Sequence, residues 1–114
     1  MNVTVGITSY NQRDYLIQAI DSVLAQTALP AEILIVDDAS TDDSAQVIAG
    51  YAARFPALVR PILLSRNGGP NVARNHVITA ATGDYLAFLD GDDRWRPVKL
   101  ARALARLSAT DRPD

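Results

Sequence analysis

Cysteine is absent from the 114 residues, which removes disulfides, thiolate metal sites and cysteine nucleophiles together. Histidine occurs once, at His76, and with no partner at a ligand-like or catalytic spacing it reads as a surface or packing residue. No apolar run reaches the roughly 18 residues that a membrane-spanning helix needs. At the amino terminus Val3, Val5 and Ile7 alternate with polar or small residues, unlike the continuous apolar block of a secretion signal, so a cytoplasmic protein is expected. The net charge of −2 provides no broad basic face for nucleic acid, and an anionic ligand would need a metal or local arginines. Linkers, repeats and low-complexity stretches are missing too. Gly68-Gly69-Pro70 has neither the Gly-x-Gly-x-x-Gly spacing nor that of a P-loop, so dinucleotide and Walker-type cradles lack support.

What is present is a steady alternation of strand-like and helix-like segments over residues 1–114, short enough to be a single domain. Val3 to Ile7 reads as a first strand, followed by a helix that Asn11 and Asp14 begin with a capping-box-like pattern. Tyr15, Leu16, Ala19, Ile20, Val23 and Leu24 form its apolar face. Glu32 to Val36 is a second strand, and Ser40 with Asp43 repeats the capping pattern before a helix lined by Ile48, Tyr51, Ala52 and Phe55. The third strand, Val59 to Leu64, contains Pro61, which cannot donate to a ladder and marks a sheet edge. Gly69-Pro70 opens a third helix and Gly83 closes it. Tyr85 to Leu89 is the fourth strand, and Pro97 begins a helix carrying Leu100, Ala101, Leu104 and Leu107 on one face. Such β-α repetition predicts an α/β three-layer sandwich around a mostly parallel sheet with right-handed crossovers. With strand three at an edge, the simplest order is 3-2-1-4, which opens a crevice between the carboxyl ends of strands one and four, with the end of strand two beside it, faced by Thr8, Ser9, Tyr10, Asp37, Asp38, Asp90 and Asp92.

Two acidic clusters stand where buried strands should end. Ile33-Leu34-Ile35-Val36 leads into Asp37-Asp38, and Tyr85-Leu86-Ala87-Phe88-Leu89 leads into Asp90-Gly91-Asp92-Asp93. Like charges gathered at one sheet edge favour a cationic partner, and a hard divalent ion with oxygen ligands suits them. Asp90 and Asp92, two apart, point to the same side of an extended chain and can share one Mg²⁺ or Mn²⁺ on a diphosphate. Their plainer reading is as turn and capping residues. Asp37, the first residue beyond the apolar run, is placed to accept a hydrogen bond from a base or ribose, whereas Asp38 reads as a turn former. Tyr10 can stack on a flat ring or lie half-buried between strand and helix. Arg74, near the start of the third helix, either serves an anion there or is a solvated surface arginine.

Four stretches together carry a family resemblance: Val5 to Asn11, Ile33 to Asp42, Asn67 to Asn75 and Leu89 to Asp93. In order and spacing they resemble the signature blocks of family 2 glycosyltransferases over nearly the whole chain. The resemblance implies a GT-A fold with a Rossmann-like half that binds a nucleotide-diphosphate sugar and transfers the sugar with inversion. It implies that Thr8, Ser9 and Tyr10 line the nucleotide pocket, that Asp37 reads the base and that Arg74 belongs to the same site. Asp90 and Asp92 match the family's Asp-X-Asp motif, the first approaching ribose or metal and the second ligating Mg²⁺ or Mn²⁺ on the diphosphate. A UDP- or dTDP-sugar is the donor implied by family habit, with a guanine nucleotide as the alternative, and the acceptor, saccharide or lipid, is not specified; an acceptor pathway at the inner face of the membrane fits the cytoplasmic expectation.

The carboxylate that deprotonates the acceptor in this family matches no residue here and is expected beyond residue 114, with most of the acceptor pocket. The expectation is therefore a donor-binding segment, a truncated product or isolated domain, with weak transfer activity at best. Sheet edge and apolar helix surface left open in such a segment would be covered by the remainder or by a homo-oligomer. The competing reading from another class is a receiver-like phosphoacceptor signalling module. Its acidic pair, however, follows the first strand, while here a complete β-α unit precedes Asp37 and the lysine after a fifth strand is absent. A non-catalytic nucleotide-binding module is the third reading, because a fold does not guarantee turnover.

Overall fold

The computed structural model describes residues 2–90, 96–97, 99–102 and 105, and of Asp90 only the backbone. Four parallel strands, β1 (Val3–Ser9), β2 (Glu32–Asp37), β3 (Val59–Leu63) and β4 (Tyr85–Asp90), form one sheet in the order β3-β2-β1-β4. The expected order is therefore the observed one, with Pro61 on an edge strand opposite Ile35. β2 is central and its Ile33, Leu34, Ile35 and Val36 are all fully buried, which explains why its sequence is a continuous apolar run.

Helices α1 (Arg13–Leu24) and α2 (Ser44–Arg54) cover one face, and α3 (Pro70–Ala80) covers the other. Right-handed crossovers explain the division: the chain moves one way along the sheet from β1 to β3 and must cross back over the opposite face to reach β4. On the first face Val5, Ile7, Ile33 and Ile35 pack with Leu16, Ile20, Val23 and Ile48. Each such fully buried aliphatic side chain is worth about 1.5–3 kcal/mol of transfer free energy. On the second face Leu34 and Val36 meet Ala73 and Val77. Gly6 makes that approach possible, since a Cβ there would lie 2.5 Å from Val77 Cγ1.

Three local expectations change. Asn11 does not cap α1: it adopts φ 51, and Gln12 holds the cap position without a side-chain hydrogen bond. Ser40 does not cap α2 either, where Asp43 takes that place. Both side chains bond across to another loop, and such long-range partners outweigh the local capping pattern. Nor does Gly83 close α3, which ends at Ala80; Gly83 instead packs on the backbone of Thr4. Residues 99–102 are helical and Leu100 is buried, its N–H bonded to Gln26 Oε1 at 2.9 Å, while Leu104 and Leu107 lie outside the described residues.

Candidate functional site

At the carboxyl ends of the strands, β1 runs between β2 and β4, so that Ser9 pairs with Asp37 and Thr8 with Asp90. Beside this edge opens a cleft of about 490 Å³. Thr8, Ser9, Tyr10 and Gln12 form the wall supplied by β1 and its following loop. Asn67, Gly69, Pro70, Ala73 and Arg74, from the start of α3, form the opposite wall, and Asp38 lies between them.

Each wall has a specific chemistry. Ser9 is 4% exposed and its hydroxyl has no hydrogen-bond partner among the described residues, an arrangement that costs free energy unless a ligand or water completes it. Tyr10 is 45% exposed and offers a ring at the cleft. Arg74 also lines the cleft, with its guanidinium 5.8 Å from the centroid of the Phe88 ring, a cation-π distance. The amino end of α3 contributes partial positive charge on the same side. Gly69, at the helix cap with φ 88, takes a left-handed turn that a side chain would strain.

Asp37 and Asp38 part company. Asp37 Oδ2 accepts the Ser40 N–H at 3.0 Å and Oδ1 accepts the Ser40 hydroxyl, so the carboxylate is directed into the β2–α2 loop. Asp38 Oδ1 and Oδ2 accept the N–H groups of Gly68 and Gly69 at 2.8 and 2.9 Å, and its carbonyl accepts Asn67 Nδ2 at 3.2 Å. It is Asp38 that borders the cleft. Strand alternation accounts for this, because Ile33, Ile35 and Asp37 share the α1/α2 side while Leu34, Val36 and Asp38 share the α3 side. The signal was available: crossover handedness puts the third helix opposite the first two, and parity along β2 then selects Asp38. Gln12, Asn67, Gly69, Pro70 and Ala73 were not expected as wall residues; of these Asn67, Gly69 and Pro70 fall in a conspicuous motif, the Asn-Gly-Gly-Pro run. His76 is exposed and lines no wall of this cleft.

Of the Asp-X-Asp residues, Asp90 ends β4 beside Thr8, which brings its backbone to the edge of the cleft; Asp92 lies outside the described residues. The oxygen-donor chemistry of this motif fits a hard divalent cation, and its first residue, Asp90, ends β4 at that sheet edge. No helix among the described residues is long and apolar enough to cross a membrane.

Comparison with known proteins agrees with this architecture. The sequence matches the family described as Glycosyl transferase family 2 over residues 4–112. An uncharacterized glycosyltransferase of Nostoc sp. is 45% identical over 111 residues, covering 97% of this chain and 34% of the relative. The putative teichuronic acid biosynthesis glycosyltransferase TuaG of Bacillus subtilis is 40% identical over 102 residues, covering 90% of this chain and 40% of the relative. Among solved structures, S. aureus TarS in complex with UDP-GlcNAc superposes with a TM-score of 0.85 at 30% identity, over 96% of this chain and 32% of that one. The mannosyltransferase PcManGT of Pyrobaculum calidifontis, in complex with GDP-Man and Mn²⁺, gives 0.83 at 27% identity, over 98% of this chain and 33% of that one. The chain thus spans about a third of the length of the relatives it matches. The sheet order, the flanking helices and these likenesses establish the expected GT-A fold. The chain belongs to glycosyl transferase family 2.

Proposed function

We propose that this segment is the donor-binding part of an inverting glycosyltransferase, taking a nucleotide-diphosphate sugar, most simply a UDP- or dTDP-sugar, together with Mg²⁺ or Mn²⁺. The observation that carries the reading is the cleft itself: an exposed aromatic ring, a carboxylate and an arginine line it at the strand ends. Tyr10 stacks on the base, and Thr8 and Ser9 hydrogen-bond to the nucleotide. Asp38, which accepts but cannot donate when ionised, takes an N–H of the base; this replaces the role first expected of Asp37. Arg74 and the amino end of α3 face the negative charge of the nucleotide.

Asp90 and Asp92 would hold the metal. When bound, it stabilises the charge that develops on the departing nucleotide diphosphate. The chain's own contribution is to bind and orient the donor, and no residue of this segment is assigned as the general base that serves the acceptor. Binding of UDP by TarS and of GDP-Man with Mn²⁺ by PcManGT supports the reading by likeness.

Thermal shift and calorimetry with UDP, dTDP and GDP, each with and without Mn²⁺, test the proposal. A nucleotide at about 100 times its Kd should stabilise the fold by about 2.7 kcal/mol, with the response enlarged by Mn²⁺. A folded chain that responds to none of them sinks the donor-site reading. Phosphorylation by a small phosphodonor would favour the receiver-like module instead.

A further inference from the structure

We infer that Asp37 is a positioning residue that presents Tyr10 to the donor through a hydrogen-bonded relay, Asp37 to Ser40 to Asn11. This rests on the donor-site reading and adds a role for a carboxylate that does not line the cleft.

The direction of each bond follows from the groups. Asp37 is 2% exposed. A carboxylate only accepts, so the Ser40 hydroxyl must spend its one proton on Asp37 Oδ1, while the Ser40 N–H goes to Oδ2 at 3.0 Å. The lone pairs of the Ser40 oxygen are thereby turned outward, and they accept the backbone N–H of Asn11 at 2.9 Å. Asn11 returns the contact, its Oδ1 accepting the Thr41 N–H at 2.7 Å. A second tie follows at Arg13, whose N–H goes to Asp42 Oδ2 at 3.3 Å and whose Nε meets Asp43 at 2.9 Å.

The residue so held is in an uncommon conformation. Asn11 has φ 51 and Ala39, in the facing loop, has φ 60. Left-handed backbone costs about 1–2 kcal/mol at a residue with a Cβ, less for asparagine, and persists only where neighbours enforce it. What the left-handed step at Asn11 accomplishes is to turn the chain sharply between β1 and α1, immediately after Tyr10. Tyr10 and Gln12, on either side of Asn11, both line the cleft. An exposed ring on an unsecured loop would lose much of its stacking energy to ordering on each binding event; a loop already fixed does not.

A double-mutant cycle on the 114-residue chain tests this. UDP affinity in the presence of Mn²⁺ is measured for the parent, Tyr10→Ala, Ser40→Ala and the double variant. Loss of one base-stacking ring should weaken binding about tenfold. Ser40→Ala should weaken it several-fold in the parent background and scarcely further in the Tyr10→Ala background, and Ser40→Thr, which keeps the hydroxyl, should recover the affinity. Additive losses, or no loss in Ser40→Ala, would overturn the relay. Backbone amide exchange supplies a readout independent of nucleotide: Ser40→Ala and Asp37→Asn should speed exchange at Asn11 while leaving Ile7 and Ile35 in the sheet unchanged. If the parent binds no nucleotide the donor-site reading fails, and the relay is then decided at Asn11, where unchanged protection in both variants overturns it.

Discussion

Glu32 and Asp38, at the two ends of one buried strand, grip the two ends of α3. Glu32 Oε2 accepts the N–H and hydroxyl of Thr82 at 2.6 and 2.8 Å, just beyond the carboxyl end of the helix. Asp38 accepts the Gly68 and Gly69 N–H groups just before its amino end. The lengths are compatible: six strand steps at about 3.3 Å give about 20 Å, and the eleven residues of α3 at about 1.5 Å give about 16 Å, with Gly69 and the extended Ala81 making up the rest. α3 is the only helix on its face among the described residues, and it carries Arg74 to the cleft. Two buried carboxylates therefore fix where that arginine sits.

Glu32 should make stability acid-sensitive in a defined window. Burial alone would raise its pKa, but hydrogen bonds from Thr4, the Thr82 N–H, Arg60 and the Thr82 hydroxyl outweigh it and hold the pKa down at about 2, against an ordinary 4.5. A group whose pKa falls on folding stabilises fully above its unfolded value and loses that contribution as pH drops through the folded one. The window here runs from about pH 4.5 down to about 2, and the shift corresponds to about 3 kcal/mol. Urea unfolding at a series of pH values should show Glu32→Gln losing less stability across that window than the parent. Parallel pH profiles would remove the assignment.

Removing the grip at the other end should act on both fold and site. Asp38→Ala strips the acceptors from two backbone N–H groups, and charge-assisted bonds of this kind are worth about 1.5–3 kcal/mol each. The expected outcome is a stability loss of about 3 kcal/mol or more with faster amide exchange at Gly68 and Gly69. UDP affinity should fall as well. Asp38→Asn keeps one acceptor and should lose less on each count; an Asp38→Ala chain of parental stability and exchange would contradict the proposed grip.

The contact between β1 and α3 admits a simple steric test. Gly6→Ala places a methyl group 2.5 Å from Val77 Cγ1, and the Phe88 ring at 3.4 Å limits escape on the other side. Overpacking of this sort costs about 1–3 kcal/mol. Equilibrium denaturation should register that loss, and Gly6→Ala combined with Val77→Ala should recover part of it. A neutral Gly6→Ala would mean that helix and strand lie farther apart than described.

The same contrasts show what could be read from the residues beforehand. Apolar runs located β2 and β4, and in β2 burial on both faces of a parallel sheet leaves little room for polar residues in the middle of the strand. Pro61 located an edge, since a missing N–H cannot serve a strand with two neighbours. Capping was misread at Asn11 and Ser40 because the pattern is local, whereas their partners lie 29 and 30 residues away in sequence. Asp37 and Asp38 are indistinguishable by type and differ by one step of strand parity. That step decides which of them meets the cleft.

Metal dependence is the prediction that bears most directly on chemistry. Asp90, the first residue of the Asp-X-Asp run, ends β4 in register with Thr8, a cleft residue, at the edge where the nucleotide is proposed to bind. Asp92→Asn keeps the size and shape of the side chain but removes a negative charge that a hard cation requires. Mn²⁺ should therefore cease to strengthen UDP binding in Asp92→Asn, while binding without metal and the unfolding midpoint stay near parental values. Chelation of the parent with EDTA should reproduce the same affinity. If Mn²⁺ strengthens UDP binding equally in parent and Asp92→Asn, the ion is held elsewhere and the metal role of Asp92 is lost.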